Sequence, residues 1–265
     1  MFSKRILLTK LRFWIRPPMV REFFDGLNVF FVLALGRSGT TFLANLLNAA
    51  DESKVFHEAI PEDYQACAEA FTDKRASLNY IQAFRRRYMY LVLRGSEVKT
   101  YGEVNGLLRN HVEALEQSFP GVRMLHLIRD GRDVVRSMMA RSVYTEEDWH
   151  APTPPKQDPL RGEWHKLSRF EKICWYWADT NRRLSDKLSE YARFEDVLQN
   201  YEYFRNRVAG RLGLTIDYQT WCRAVRKPKN PTSNHVLPEW PLWSSEQKDS
   251  FRVLCGEVMR DFDYW

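Results

Sequence analysis

From Val29 to Leu35 the chain runs through seven consecutive apolar residues, V-F-F-V-L-A-L, closed by Gly36. A run of that length with no polar alternation predicts a strand buried on both faces, the pattern of a central strand in a parallel sheet. Gly36-Arg37-Ser38-Gly39-Thr40-Thr41 then opens into Phe42–Leu47, where apolar residues recur at helical spacing without proline. The order is strand, glycine turn, helix. It returns further along: Val122–Ile128 predicts a strand, Arg129-Asp130-Gly131-Arg132-Asp133 a turn, and Val134–Met139 a helix, with Phe119-Pro120-Gly121 ending the helix before it.

Weaker signals place strands at 98–101 and 191–194, and helices at 61–70, 77–91, 107–118, 168–190, 201–212 and 245–262. Alternating strands and helices predict an α/β fold, a mostly parallel central sheet flanked by helices. Between 141 and 167 the periodicity lapses and Pro152, Pro154, Pro155 and Pro159 crowd together, the composition of a lid or substrate loop. The organisation expected is a basic N-terminal segment, 1–27, followed by a single domain, 28–265. No solenoid repeat or low-complexity tract interrupts it.

Composition narrows the partners. A net charge of +6 favours anionic ligands without naming one. No motif that reads nucleic acid is present, so nucleic acid is not expected as a partner. The apolar run of seven falls far short of the ~20 residues needed to cross a bilayer. The N-terminal residues Lys4, Arg5, Lys10, Arg12 and Arg16 suit at most peripheral contact with anionic lipid. Cys67, Cys174, Cys222 and Cys255 are scattered, with neither metal-ligand spacing nor a disulfide framework. Reduced thiols, no metal and a cytoplasmic setting are expected.

A glycine turn at the end of a buried strand presents unpaired backbone N–H groups and the positive end of a helix dipole to an anion. Ser38, Thr40 and Thr41 add hydroxyls, and Arg37 adds a fixed charge. The ATP-binding pattern G-x-x-x-x-G-K-[ST] fails here because Thr40 follows Gly39 where lysine should stand. A nucleotide or metabolite kinase is therefore the second choice. At the other junction Arg129 and Ser137, eight residues apart, can converge on a second phosphate. A ligand filling both sites would carry anionic groups at its two ends.

Gly36-Arg37-Ser38-Gly39-Thr40-Thr41 resembles the 5′-phosphosulfate loop of the sulfotransferase family, and Arg129-Asp130-Gly131-Arg132-Asp133-Val134-Val135-Arg136-Ser137 resembles its 3′-phosphate motif. Tyr191–Val197 is similar to a further family strand. The resemblance implies a three-layer P-loop-like fold that binds 3′-phosphoadenosine 5′-phosphosulfate (PAPS), passes its sulfuryl group to a hydroxyl of a carbohydrate or other polar metabolite, and releases adenosine 3′,5′-bisphosphate (PAP) without a metal. Arginine at position 37, where many cytosolic members carry lysine, speaks against a small-phenol acceptor.

An acceptor hydroxyl must lose a proton as it attacks, so a general base is required. The candidates are Glu58, Glu103 and His57. Glu58 sits where glutamate-base members resemble this chain, Glu103 and Asn105 follow an expected strand end, and His57 reads as a neighbour that contacts the acceptor. Arg37 is the expected catalytic cation, and a basic loop containing Arg226 and Lys229 is the expected further contact to the 3′-phosphate. Trp149, Trp164 and Asn105 are expected on the acceptor, while Trp175, Tyr176 and Trp177 read as helix residues packed in the core.

Overall fold

The computed structural model describes residues 17–148, 151–226 and 236–265. Strands β1 (Asn28–Ala34), β2 (Ser53–Phe56), β3 (Thr100–Val104), β4 (Arg123–Ile128) and β5 (Tyr191–Arg193) form one sheet in the order β2-β3-β1-β4-β5, with every pairing parallel. The α/β expectation holds, with β1 at the centre. Its side chains alternate between two cores: Phe30, Val32 and Ala34 enter one, Val29, Phe31 and Leu33 the other. That is why the run carries no polar residue. Gly102 lies opposite Phe30 in register, and a Cβ there would stand 2.0 Å from the Phe30 ring, so the strand beside β1 needs a residue without a side chain at that point.

Helices cover both faces. In chain order they are α1 (Pro17–Asp25), α2 (Thr40–Leu47), α3 (Asp63–Ala70), α4 (Lys74–Asn79), α5 (Arg86–Leu93), α6 (Val112–Ser118), α7 (Gly131–Met139), α8 (Arg169–Ser185), α9 (Phe194–Gln199), α10 (Tyr201–Tyr203), α11 (Tyr218–Arg226) and α12 (Ser245–Asp261). Wide π-type turns at Tyr80–Arg85 and Phe204–Ala209 link α4 to α5 and extend α10. Capping boxes, Ser168 with Glu171 and Ser244 with Gln247, fix the starts of the two longest helices, α8 and α12.

Several boundaries differ from the sequence expectation. The helix α1 precedes the expected domain start, and its Val20 and Phe24 are buried in the core of the sheet, Phe24 edge-on to Phe119 at 5.1 Å. The basic residues before Pro17 lie outside the described residues. Strand β2 was not foreseen, since it is a four-residue edge strand with no alternation to mark it. The expected strand at 98–101 begins and ends later, at Thr100–Val104. Among the described residues no helix is long and apolar enough to cross a membrane.

Candidate functional site

The connection after β1 leads to one side of the sheet and that after β4 to the other, so a crevice opens between the C-terminal ends of β1 and β4. In open α/β sheets ligands bind in such a crevice. Both arginine-bearing turns border it.

The turn after β1 holds Arg37 and Gly39 in left-handed backbone conformations, φ 72° and φ 86°. At Gly39 a Cβ would lie 2.1 Å from the ring of Phe194, so a side chain has no room there. No side chain among the described residues caps α2, which leaves its first-turn N–H groups directed at the crevice. Ser38 and Thr40 are buried. The Thr40 hydroxyl is 2.9 Å from His57 Nε2, tying the start of α2 to the segment after β2.

Arg129, at the tip of β4, donates from Nη1 to the carbonyl oxygen of Arg37 at 3.1 Å, while Arg37 Nε donates to Ser137 Oγ at 2.9 Å. The two turns are thereby joined through the residues singled out for phosphate binding. Arg129 lies over the Phe194 ring at 5.7 Å and pairs with Asp133 at 3.0 Å. Half-exposed Asp133 leaves the guanidinium accessible to a competing anion. Arg132 is used differently: it forks onto the Asp130 carboxylate, with Nε 2.9 Å from Oδ1, and Asp130 in turn caps α7. Burial depresses the pKa of Arg37, and repulsion from Arg141 and Arg129 adds to the effect. Arg37, Arg129 and Arg141 thus concentrate positive charge around the loop.

Beside Arg37 opens a cavity of about 440 Å³. Gly36, Arg37 and Glu58 line its inner end, with Tyr64, Arg109 and Tyr176 among the residues around it. Glu58 adopts a left-handed backbone, φ 44°, sparsely populated for a residue of this type. Its carboxylate lies 4.0 Å from His57 Nε2 and faces Gly106, from whose ideal Cβ position Oε1 would be 3.4 Å away.

Glu58 and Arg37 thus share one cavity. Glu103 and Asn105 do not reach it. Because β3 extends to Val104, Glu103 sits inside the strand, fully buried, and pairs with Arg85, which also binds Asp63. The Asn105 amide donates to Asp63 and Glu103 at 3.1 Å each, and its oxygen accepts from the Leu107 N–H at 2.9 Å. Both residues belong to a buried network behind the Gly106–Leu108 turn. Trp164 packs on Trp175 at 5.0 Å and on Tyr144 at 5.5 Å, outside the cavity lining. Arg226 is the exposed last residue of α11. Trp149 and Lys229 lie outside the described residues.

Trp175 and Trp177 are buried as expected, but Tyr176 faces the cavity. Successive helix residues point about 100° apart, so three aromatic neighbours cannot all face one core. Arg109, Tyr64 and Asp148 were missed altogether, although Asp148, Ala151, Pro152 and Thr153 of the irregular stretch do line the cavity.

Residues 30–218 match the model of the sulfotransferase family. No curated protein matches the chain. Among solved structures, mouse sulfotransferase SULT7A1 complexed with PAP is 13% identical and covers 92% of this chain and 90% of its own, with a TM-score of 0.52. A sulfotransferase from Alicyclobacillus acidocaldarius is 15% identical and covers 87% of this chain and 92% of its own, with a TM-score of 0.50. At these identities the structural likeness concerns the fold.

Proposed function

The chain belongs to the sulfotransferase family, and from that premise we propose that it transfers the sulfuryl group of PAPS to a hydroxyl of an acceptor, a carbohydrate or other polar metabolite, seated in the cavity beside Arg37. The observation that carries this reading is the junction of Arg37, Arg129 and Ser137 at the tips of β1 and β4, with Glu58 in the adjoining cavity.

In this reading the N-terminus of α2, with Gly36, Ser38, Gly39, Thr40 and Thr41, holds the 5′-phosphosulfate, and Arg129 with Ser137 holds the 3′-phosphate. Arg226 and Lys229 remain candidates for a further contact to that phosphate. Glu58 takes the proton of the acceptor hydroxyl as its oxygen forms the new bond to sulfur in line with the departing phosphate oxygen. The bond from sulfur to that oxygen breaks, and its electron pair stays on the phosphate of PAP. The Arg37 guanidinium neutralises the charge that develops there. His57, bonded to Thr40, sets the position of the adjacent Glu58 against the loop. Arginine supplies the positive charge throughout, so chelation with EDTA is expected to leave turnover unchanged. The ATP-type loop lysine is replaced by Thr40, which leaves the kinase alternative without support. Four free thiols suit a reducing, cytoplasmic setting.

The test is a panel of hydroxyl acceptors incubated with sulfur-labelled PAPS. Label transferred to at least one acceptor, with PAP released in equal amount, supports the reading. Transfer of phosphate from ATP instead would replace it.

A further inference from the structure

Lining the cavity are Arg37, Arg109 and Arg141, against the acids Glu58 and Asp148. In the proposed reaction Arg37 serves the donor and Glu58 serves as the base. The Asp148 carboxylate accepts from the Tyr144 N–H at 2.9 Å, within the irregular loop. Arg109 has no such employment. Its Nη1 donates to the Gly106 carbonyl oxygen at 2.6 Å, its Nη2 donates to the Tyr176 hydroxyl, and the guanidinium lies 5.4 Å from the centre of the Tyr176 ring.

Both acceptors are neutral. Among the described residues no carboxylate stands within 4.0 Å of Arg109, the distance of an ion pair. A guanidinium carries five N–H donors, so after these two bonds its remaining donors are free for a ligand. A partly buried cation held rigid by stacking and by neutral acceptors, and open to a cavity, is completed by an anion. The exposed Arg141 adds charge at the rim, where its repulsion contributes to the depressed pKa of Arg37. Tyr64, Phe71 and Leu107 supply apolar wall between these charges. At about 440 Å³ the space suits one small molecule.

We propose that the acceptor is a small hydroxyl-bearing acid, carrying a carboxylate or sulfate ester in addition to the hydroxyl that is modified, and that Arg109 reads its acidic group with help from Arg141. This inference rests on the sulfuryl-transfer reading and narrows its acceptor class.

The experiment uses calorimetry on the PAP-loaded protein with paired probes, each carrying an aliphatic hydroxyl: mandelate against mandelamide, and glucuronate against glucose. At least one acid is expected to bind about tenfold or more tightly than its uncharged twin, the scale of a charge-assisted bond. Arg109→Met is expected to shrink that ratio below about threefold while PAP affinity stays within about twofold, and Arg109→Lys to retain part of it. Where Arg109→Met fails to fold, Arg141→Met, at an exposed position, must still lower the ratio. Equal binding of the twins, no binding of either acid, or a ratio that survives in folded Arg109→Met overturns the inference. Failure of PAP itself to bind refutes the sulfuryl-transfer reading instead, and the same acid and neutral pairs titrated without nucleotide then decide this one.

Discussion

Replacing Gly39 with alanine tests the geometry of the phosphate loop without knowledge of the acceptor. The new Cβ would meet three atoms of the Phe194 ring at 2.1, 2.3 and 2.5 Å, on a backbone with φ 86°. The left-handed conformation costs a non-glycine residue about 1–2 kcal/mol. Overpacking against a confined ring costs about 1–3 kcal/mol more. Phe194 is only 6% exposed, meets Phe42 edge-on at 6.0 Å and carries Arg129 on its face at 5.7 Å, so it cannot swing away freely. Urea unfolding should therefore show Gly39→Ala less stable by about 2–5 kcal/mol. Gly36→Ala, where no atom outside its neighbours lies within 4 Å of the new Cβ, should lose less than about 1 kcal/mol. In a cycle with Phe194→Ala the double variant should fall short of the summed losses by about 1 kcal/mol or more, because removing the ring removes the clash. Displacement of Phe194 also disturbs Arg129, so PAP affinity should fall in Gly39→Ala. Wild-type stability in Gly39→Ala, with strict additivity in the cycle, would refute this account of the loop.

Glu58→Gln keeps the shape of the cavity wall but cannot accept the proton: PAP affinity measured by calorimetry should stay within about twofold while turnover of any accepted substrate falls about 10²–10⁴-fold. Arg129→Ala removes a charge-assisted bond to the 3′-phosphate, so PAP should bind about 10–100-fold more weakly while adenosine 5′-phosphate changes less than about threefold. Ser137→Ala should move in the same direction by less. Burial pulls the pKa of His126 down to about 4 and that of His111 to about 3, so both are neutral in the fold and bind protons more readily once unfolded. Their contribution is complete above the ordinary histidine value near 6.5 and is lost as pH falls below it, about 1.4 kcal/mol per pH unit for each. Unfolding free energy measured from pH 7 to pH 4 should decline accordingly, and His126→Leu should flatten the decline.

How much of this was legible in the sequence follows from which signals are local. Strand β1 declares itself because residues on both of its faces are buried, and the eight-residue step from Arg129 to Ser137 survives because one turn and one helix carry both. Strand β3 hides itself, since Thr100, Gly102 and Glu103 interrupt its apolar character. Glu103 is tolerated there because Arg85, from the turn between α4 and α5, crosses the core to meet it, a pairing no local pattern announces, and Tyr101 and Asn105 donate to it as well. The cavity wall is harder still. Tyr64 comes from α3, Arg109 from the turn after β3 and Tyr176 from the middle of α8, and only the folded sheet brings them together. An arginine in a loop looks like any solvated charge until its neighbours are known.

The claim that two arginine-bearing turns grip one bisphosphorylated nucleotide is tested most directly by thermal unfolding at increasing PAP, with ATP–Mg²⁺ in parallel. Ligand at about 100 times its dissociation constant adds about 2.7 kcal/mol to the folded state. Tm is expected to rise saturably with PAP, by more than any rise with ATP–Mg²⁺ at the same concentration. No response to PAP, or stronger protection by ATP–Mg²⁺, would contradict that claim.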